Sequence, residues 1–293
     1  MDISWIGFSY IAFRLIHVLR DRITGRLPEI DLAELITYII FFPTITAGPI
    51  DRIQRFIEDL RADFTLKSPQ IILGGKRILI GLFKKFALAD SLALIALNPQ
   101  NAVQVTSTGW TWIMLYAYSF RIYYDFSGYT DIALGIGQLL GFSLPENFNR
   151  SYLQTNLTTF WNNWHMTLTN WFRAYFFNPL TRAMRTSKRK LPLWLIIFVA
   201  QLSTMVLIGL WHGITWNFVI WGFWHGVGLF IHNRWADLTR PILKLADKST
   251  GIQRLVDSLG VLLTFNYVSL GWLWFVLPNP EISIQVFQKL IGI

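Results

Sequence analysis

Between Leu207 and Gly226 the chain reads LIGLWHGITWNFVIWGFWHG, a stretch without a single Lys, Arg, Asp or Glu. Such a segment suits lipid or a deep protein interior, because an unpaired charge is costly in either place. It nevertheless holds two ionisable groups, His212 and His225, each set in the triplet Trp-His-Gly. Apolar runs of similar kind recur along the chain, at roughly 3–19, 32–47, 71–97, 109–124, 127–142, 191–210, 214–232 and 258–277. Several are short or carry charge, so some are expected to be re-entrant or interfacial. Hydrophobic residues make up 53% of the chain and charged ones only 15%, against about 45–50% and about 25% in soluble domains. No long polar stretch is left over for a separate soluble domain. Residues 1–293 are therefore read as one membrane-embedded, all-α, polytopic domain.

The formal net charge of +9 would suggest nucleic acid in a soluble protein. Here the basic residues fall in short runs between apolar segments, which fits cytoplasmic loops and anionic lipid instead. TRAMRTSKRK, with Arg182, Arg185, Lys188, Arg189 and Lys190 and no acid, is expected on the cytoplasmic side. Lys76, Arg77, Lys84 and Lys85 cover about half the circumference of a helix over 71–97, which suits an interfacial helix or snorkelling side chains. With no Cys, disulfides, Cys-bound metals and a Cys acyl-enzyme within this chain are excluded. A signal peptide is not expected, since Asp2 follows Met1 and the first apolar run lacks a basic flank and a small-residue cleavage site.

The most amphipathic segment is YLQTNLTTFWNNWHMTLTNWFRAYFF. Projected as one helix, Thr158, Asn162, His165 and Thr169 fall within about 60° of one another, with Arg173 nearby. Leu157, Phe160, Trp161, Trp164, Leu168 and Trp171 occupy another arc. The pattern fits a surface helix, or one turning a polar stripe toward a water-filled cavity.

Familiar site signatures fail. GIGQLLG has the wrong spacing for a dinucleotide loop, and its Gly135, Gly137 and Gly141 are read as helix-packing residues. DFSGY is not a nucleophile elbow. His212 and His225 would lie about 140° apart on one straight helix, which argues against a metal pair. His17 and His232, beside basic residues at the ends of apolar runs, are read as interfacial. His165 and His212 carry more weight, because a polar group at membrane depth normally faces the bundle interior and marks a functional path. Gly209 and Gly213 bracket His212 and allow close helix approach or a break, and Trp211 and Trp216 could wall a narrow channel. Imidazole titrates near neutrality, and a neutral one in a water-poor site can act as general base toward a hydroxyl.

Four segments, FFPTITAGPIDR, YYDFSGYTDIALGIGQLLGFSLPENFNRSY, FWNNWHMTLTNWFRAYFFNPL and IGLWHGITWNFVIWGFWHG, occur in the order seen in membrane-bound O-acyltransferases. The chain resembles that family, in particular its bacterial branch acting on alginate and teichoic acids, over roughly residues 1–277. The resemblance implies a horseshoe of transmembrane and re-entrant helices around a central tunnel. It implies an acyl group delivered from a cytoplasmic thioester, acetyl-CoA or a carrier protein's phosphopantetheine, to an extracytoplasmic polysaccharide or an acyltransferase partner. Multi-pass insertion in the inner or plasma membrane follows, with no tightly bound cofactor, no metal and no nucleic-acid partner. His212, in LWHG, matches the family's nearly invariant histidine, and His165, in WNNWH, its second functional one. His225 matches a position that is usually His and is assigned to structure. Asn162, Trp164 and Trp211, beside the two histidines, are the candidate substrate-binding residues. GPIDR and WHMTL lean toward D-alanyl transfer; acetyl transfer is placed first. Family members are typically longer before the segment matching WIGFSYIAFR, so the chain is expected to begin inside the fold. Two rival readings are a transporter with a histidine proton relay and a non-catalytic fragment of a split acyltransferase.

Overall fold

The computed structural model describes residues 7–188, 190–246 and 250–293; Arg189 of the basic loop and the first residues of the 3–19 run lie outside them. In chain order the α-helices are α1 (Phe8–Ile23), α2 (Leu32–Ile39), α3 (Ile53–Arg61), α4 (Ser68–Leu82), α5 (Asp90–Ala93), α6 (Pro99–Gln104), α7 (Thr108–Leu139), α8 (Leu157–Asn163), α9 (Met166–Phe172), α10 (Asn178–Thr186), α11 (Leu193–His212), α12 (Trp216–Ala246), α13 (Thr250–Gly271), α14 (Leu273–Val276) and α15 (Pro280–Leu290). Among the described residues there is no strand, only an isolated bridge between Phe148 and Trp164. The fold is all-helical, as the sequence predicts.

The helices form two compact units. One comprises the chain up to Ser91 with Ile122–Asn147 and Met166–Trp171; the other comprises Leu92–Arg121, Phe148–His165 and Phe172–Ile293.

In the first unit, α3 buries Ile53, Phe56 and Ile57, the i, i+3, i+4 pattern of an amphipathic helix. These side chains join Val18, Tyr38 and Phe41 in a core against which Phe142 and Leu144 pack. The 32–47 run is not one helix. α2 stops at Ile39, and a 3₁₀ turn at Phe42–Thr44 follows, because Pro43 offers no N–H and restricts the residue before it. This loop hangs on Arg14, which is buried and donates to the carbonyls of Ile39 (2.7 Å) and Thr44 (2.8 Å). His17, expected at an interface, is also internal: it is 1% exposed, and Nε2 accepts the Ile53 N–H at 3.3 Å.

Glycine governs how α4 meets the second half of α7. A Cβ on Gly81 would lie 2.6 Å from the carbonyl oxygen of Gly128, and one on Gly135 would lie 2.7 Å from that of Gly74. The small residues therefore let the two backbones touch, as expected for Gly135. The cations of the 71–97 run are ion-paired along this crossing. Arg77 reaches Glu146 (2.6 Å) and Asp131 (3.0 Å), Lys84 reaches Asp131 (2.6 Å), and Lys85 reaches Asp125 (2.5 Å). Of the four, Lys76 is exposed and the three paired cations are half-buried. Asp125 and Phe126, read as the gap between two spans, sit inside one continuous α7, with Asp125 paired to Lys85.

In the second unit α11 and α12 form an antiparallel hairpin turning at Gly213–Thr215. A polar ladder joins the first half of α7 to α13: Tyr116 donates to Asn266 (2.7 Å) and Ser119 to Ser269 (3.0 Å). Among the described residues, two segments are long and apolar enough to cross a membrane, Leu193–His212 and Gly251–Val276. They match the predicted 191–210 and 258–277 runs. The 214–232 run is part of a longer helix that continues to Ala246.

Candidate active site

All five site residues inferred from sequence, His165, His212, Asn162, Trp164 and Trp211, belong to the second unit. The first finding corrects the helical projection. The predicted single amphipathic helix is broken: α8 ends at Asn163, Trp164 is extended, His165 adopts φ 44°, and α9 starts at Met166. The break has a physical cause. Asn163's carbonyl accepts from the Asn149 N–H (3.1 Å) and the Ser151 hydroxyl (2.5 Å), so an upstream loop satisfies the acceptor that a continuing helix would use. The polar stripe then disperses. Thr158 donates to Asn233 (3.0 Å), Asn162 is exposed and accepts from Arg173, and His165 is buried.

The left-handed backbone at a non-glycine residue is uncommon and signals a position fixed by its surroundings. His165 lies 6.2 Å from Trp211 between ring centroids, and Trp211 lies 4.5 Å from His212. Both imidazoles thus lie beside one indole. Sequence spacing of 47 residues between them conveys none of this.

His212 is the last residue of α11. Phe275 (4.8 Å), Trp221 (5.6 Å) and Phe218 (6.0 Å) surround its ring on several sides, yet the residue is exposed. Gly213 ends the helix in an extended conformation, and a Cβ there would lie 2.5 Å from the Phe218 ring. Gly209 lets α12 approach: its Cβ would sit 2.1 Å from the Phe218 carbonyl oxygen. Both glycines thus do what the flanking sequence suggested, one permitting close approach and the other a break.

His225 differs from His212 in burial and in its place in the helix. It is 0% exposed, lies on α12, and is enclosed by Trp221 (4.9 Å), Trp161 (5.0 Å), Tyr267 (6.1 Å) and Trp272 (6.4 Å). Neither ring nitrogen has a hydrogen-bond partner among the described residues, and Nε2 lies against Gly271, where a Cβ would be 2.6 Å away. His225→Leu, similar in bulk and free of polar atoms, should therefore keep activity within about threefold of wild type, since an unpartnered polar group adds no hydrogen bond to lose. Turnover per unit of folded protein measures it, and a loss matching that of His212→Ala would contradict the packing assignment.

Trp164 is 4% exposed, stacked on Phe160 and tilted against Tyr152 and Trp272. Trp216, the second suggested channel wall, is 73% exposed. Trp221, Phe218 and Phe275 around His212 were not singled out from sequence; in a chain with 14 Trp and 23 Phe, nothing local marks which rings meet the imidazole. No group of His, Asp or Glu among the described residues could hold a metal ion.

Residues 10–269 match the model of the MBOAT, membrane-bound O-acyltransferase, family. The chain belongs to that family. Membership makes it an O-acyltransferase and membrane-bound, in line with the two long apolar helices. Among curated relatives it is 33% identical to the teichoic acid D-alanyltransferase of Streptococcus thermophilus, over 93% of this chain and 68% of that one. It is 31% identical to a probable alginate O-acetylase of Azotobacter vinelandii, over 98% of this chain and 54% of that one. It is 33% identical to the peptidoglycan O-acetyltransferase of Helicobacter pylori, over 87% and 46%. The chain thus spans about two thirds of the D-alanyltransferase and about half of the O-acetylases. These MBOAT relatives act on envelope polymers and differ in the acyl group they are named for.

Proposed function

We propose that this protein is a multi-pass enzyme of the inner or plasma membrane that carries acetyl, or D-alanyl, from a cytoplasmic thioester toward an extracytoplasmic polysaccharide. The observation that carries the reading is that His212, an exposed residue at the end of an apolar helix, has its imidazole beside the same indole as His165. His212 takes the proton of the acceptor hydroxyl as its oxygen attacks the thioester carbonyl. The C–S bond breaks, and the leaving thiolate recovers the proton from the imidazolium. That transient cation sits at the C-terminus of a 20-residue helix, where the helix dipole favours positive charge by about 0.3–1 kcal/mol. His165 orients or polarises the donor carbonyl, and Asn162, Trp164 and Trp211 contribute to the walls of the acyl path. With no Cys in the chain, transfer is direct or relayed by a partner acyltransferase.

Two further elements complete the proposal: residues 1–293 act as one membrane-embedded domain, and the family's horseshoe and tunnel provide the passage between donor and acceptor. The donor is acetyl-CoA or an acyl carrier protein's phosphopantetheine thioester, with membrane lipid and the polymer as the other partners. Membranes containing the protein are to be given labelled acetyl-CoA or labelled D-alanyl carrier protein, and label in the polymer counted. Label from acetyl-CoA supports the acetyl reading, and label from the carrier alone transfers the assignment to D-alanyl. Proton-coupled flux with no label from either donor would contradict acyl transfer.

A further inference from the structure

The turn that presents His165 is fixed on its far side by a residue outside the acyl-transfer reading. Asn147 is fully buried. Its side-chain oxygen accepts both the backbone N–H (3.1 Å) and the hydroxyl (2.7 Å) of Thr167, and its carbonyl accepts the N–H of Met166 (2.9 Å). Met166 and Thr167 are the two residues that follow His165. In an uninterrupted helix the Thr167 N–H would bond the Asn163 carbonyl, but that carbonyl is already taken by Asn149 and Ser151. Asn147 supplies the missing acceptor, so α9 starts with its early N–H groups satisfied. The Thr167 hydroxyl extends the arrangement by accepting the Ile50 N–H at 3.0 Å. Between these two anchored stretches His165 adopts φ 44°. A non-glycine residue holds that conformation only when its neighbours over-determine it.

We propose that Asn147 is a positioning residue for acyl transfer, setting the direction of the His165 imidazole by anchoring the backbone immediately after it. The inference rests on the reading in which His165 takes part in the reaction. It requires an acceptor at position 147, whereas simple filling of space does not. Thr167 is the matching requirement on the other side, a hydroxyl that donates to Asn147 and accepts from Ile50.

The test is a double-mutant cycle in intact cells, reading the initial rate of O-acyl accumulation on the envelope polymer per unit of folded protein. Asn147→Ala should lower that rate roughly ten- to a hundredfold, the scale on which misplacing a reacting group acts. In a His165→Ala background the same substitution should cost less than about threefold, because nothing is left to position. Thr167→Ser should stay near wild type. If Asn147→Ala does not accumulate, the cycle is run with Thr167→Val, which removes the hydroxyl and keeps the N–H. Equal losses in the two backgrounds would overturn the proposal and leave His165 in its role. A wild-type rate in His165→Ala itself would overturn the role of His165, and the proposal with it.

Discussion

Replacing His212 with alanine should lower O-acylation of the envelope polymer by roughly a hundredfold to ten-thousandfold, the span over which general-base catalysis contributes. The protein should still reach the membrane, because His212 is an exposed residue at the very end of its helix, and the closest of its ring contacts is the neighbouring Trp211. His212→Gln, which keeps a polar side chain but cannot shuttle a proton, should behave as the alanine variant does. Quantifying polymer-bound acyl groups beside an immunoblot of the membrane fraction separates chemistry from expression. Wild-type acylation in either variant would remove His212 from the reaction.

The second large effect is mechanical. A Cβ on Gly209 would stand 2.1 Å from the backbone oxygen of Phe218, and one on Gly222 would stand 2.5 Å from that of Met205. Backbone cannot rotate aside as a flexible side chain can, so any substituent forces α11 and α12 apart. Gly209→Ala should cost at least the 1–3 kcal/mol typical of overpacking, about several degrees in thermal midpoint. Gly209→Leu should not accumulate as a monodisperse species. Gly75 is the internal control, because a Cβ there meets nothing within 4 Å. Gly75→Ala should be neutral or stabilising, given alanine's higher helix propensity of up to about 1 kcal/mol. Size-exclusion profiles after a heating series measure both, and equal behaviour of the two alanine variants would contradict the close crossing.

These two cases mark what a linear reading could reach. Gly209, Gly213 and Gly135 were legible because small residues in apolar runs have few uses besides close approach or a break. The family was legible from four ordered segments, since their order is far more restrictive than any one of them. His212 and His225 were separable only through that resemblance; composition made them equal, and their places in the fold now distinguish them, an exposed residue ending α11 against a fully buried one within α12.

The failures share a cause. The stretch around His165 keeps a 3.6-residue period on both sides of its break, with Phe160, Trp161, Trp164 and Leu168 all buried. Periodicity therefore reports one helix. What interrupts it is a carbonyl claimed by Asn149 and Ser151 from upstream, and no local pattern encodes a distant hydrogen bond. His17 looked interfacial for the same reason: its basic neighbours in sequence were visible, while the Ile53 N–H that meets its ring was not. Likewise α7 runs on through Asp125, whose partner Lys85 lies 40 residues away in sequence.

The central claim, that this chain transfers an acyl group to an envelope polymer through His212, is tested most directly by mass analysis of envelope glycans. Three strains are compared: one with the intact gene, one without it, and one carrying His212→Ala at matched membrane levels. The account predicts a polymer mass shifted by acetyl, or by D-alanyl, in the first strain alone. Identical glycan masses in all three, or an acyl shift that survives in His212→Ala, would contradict it.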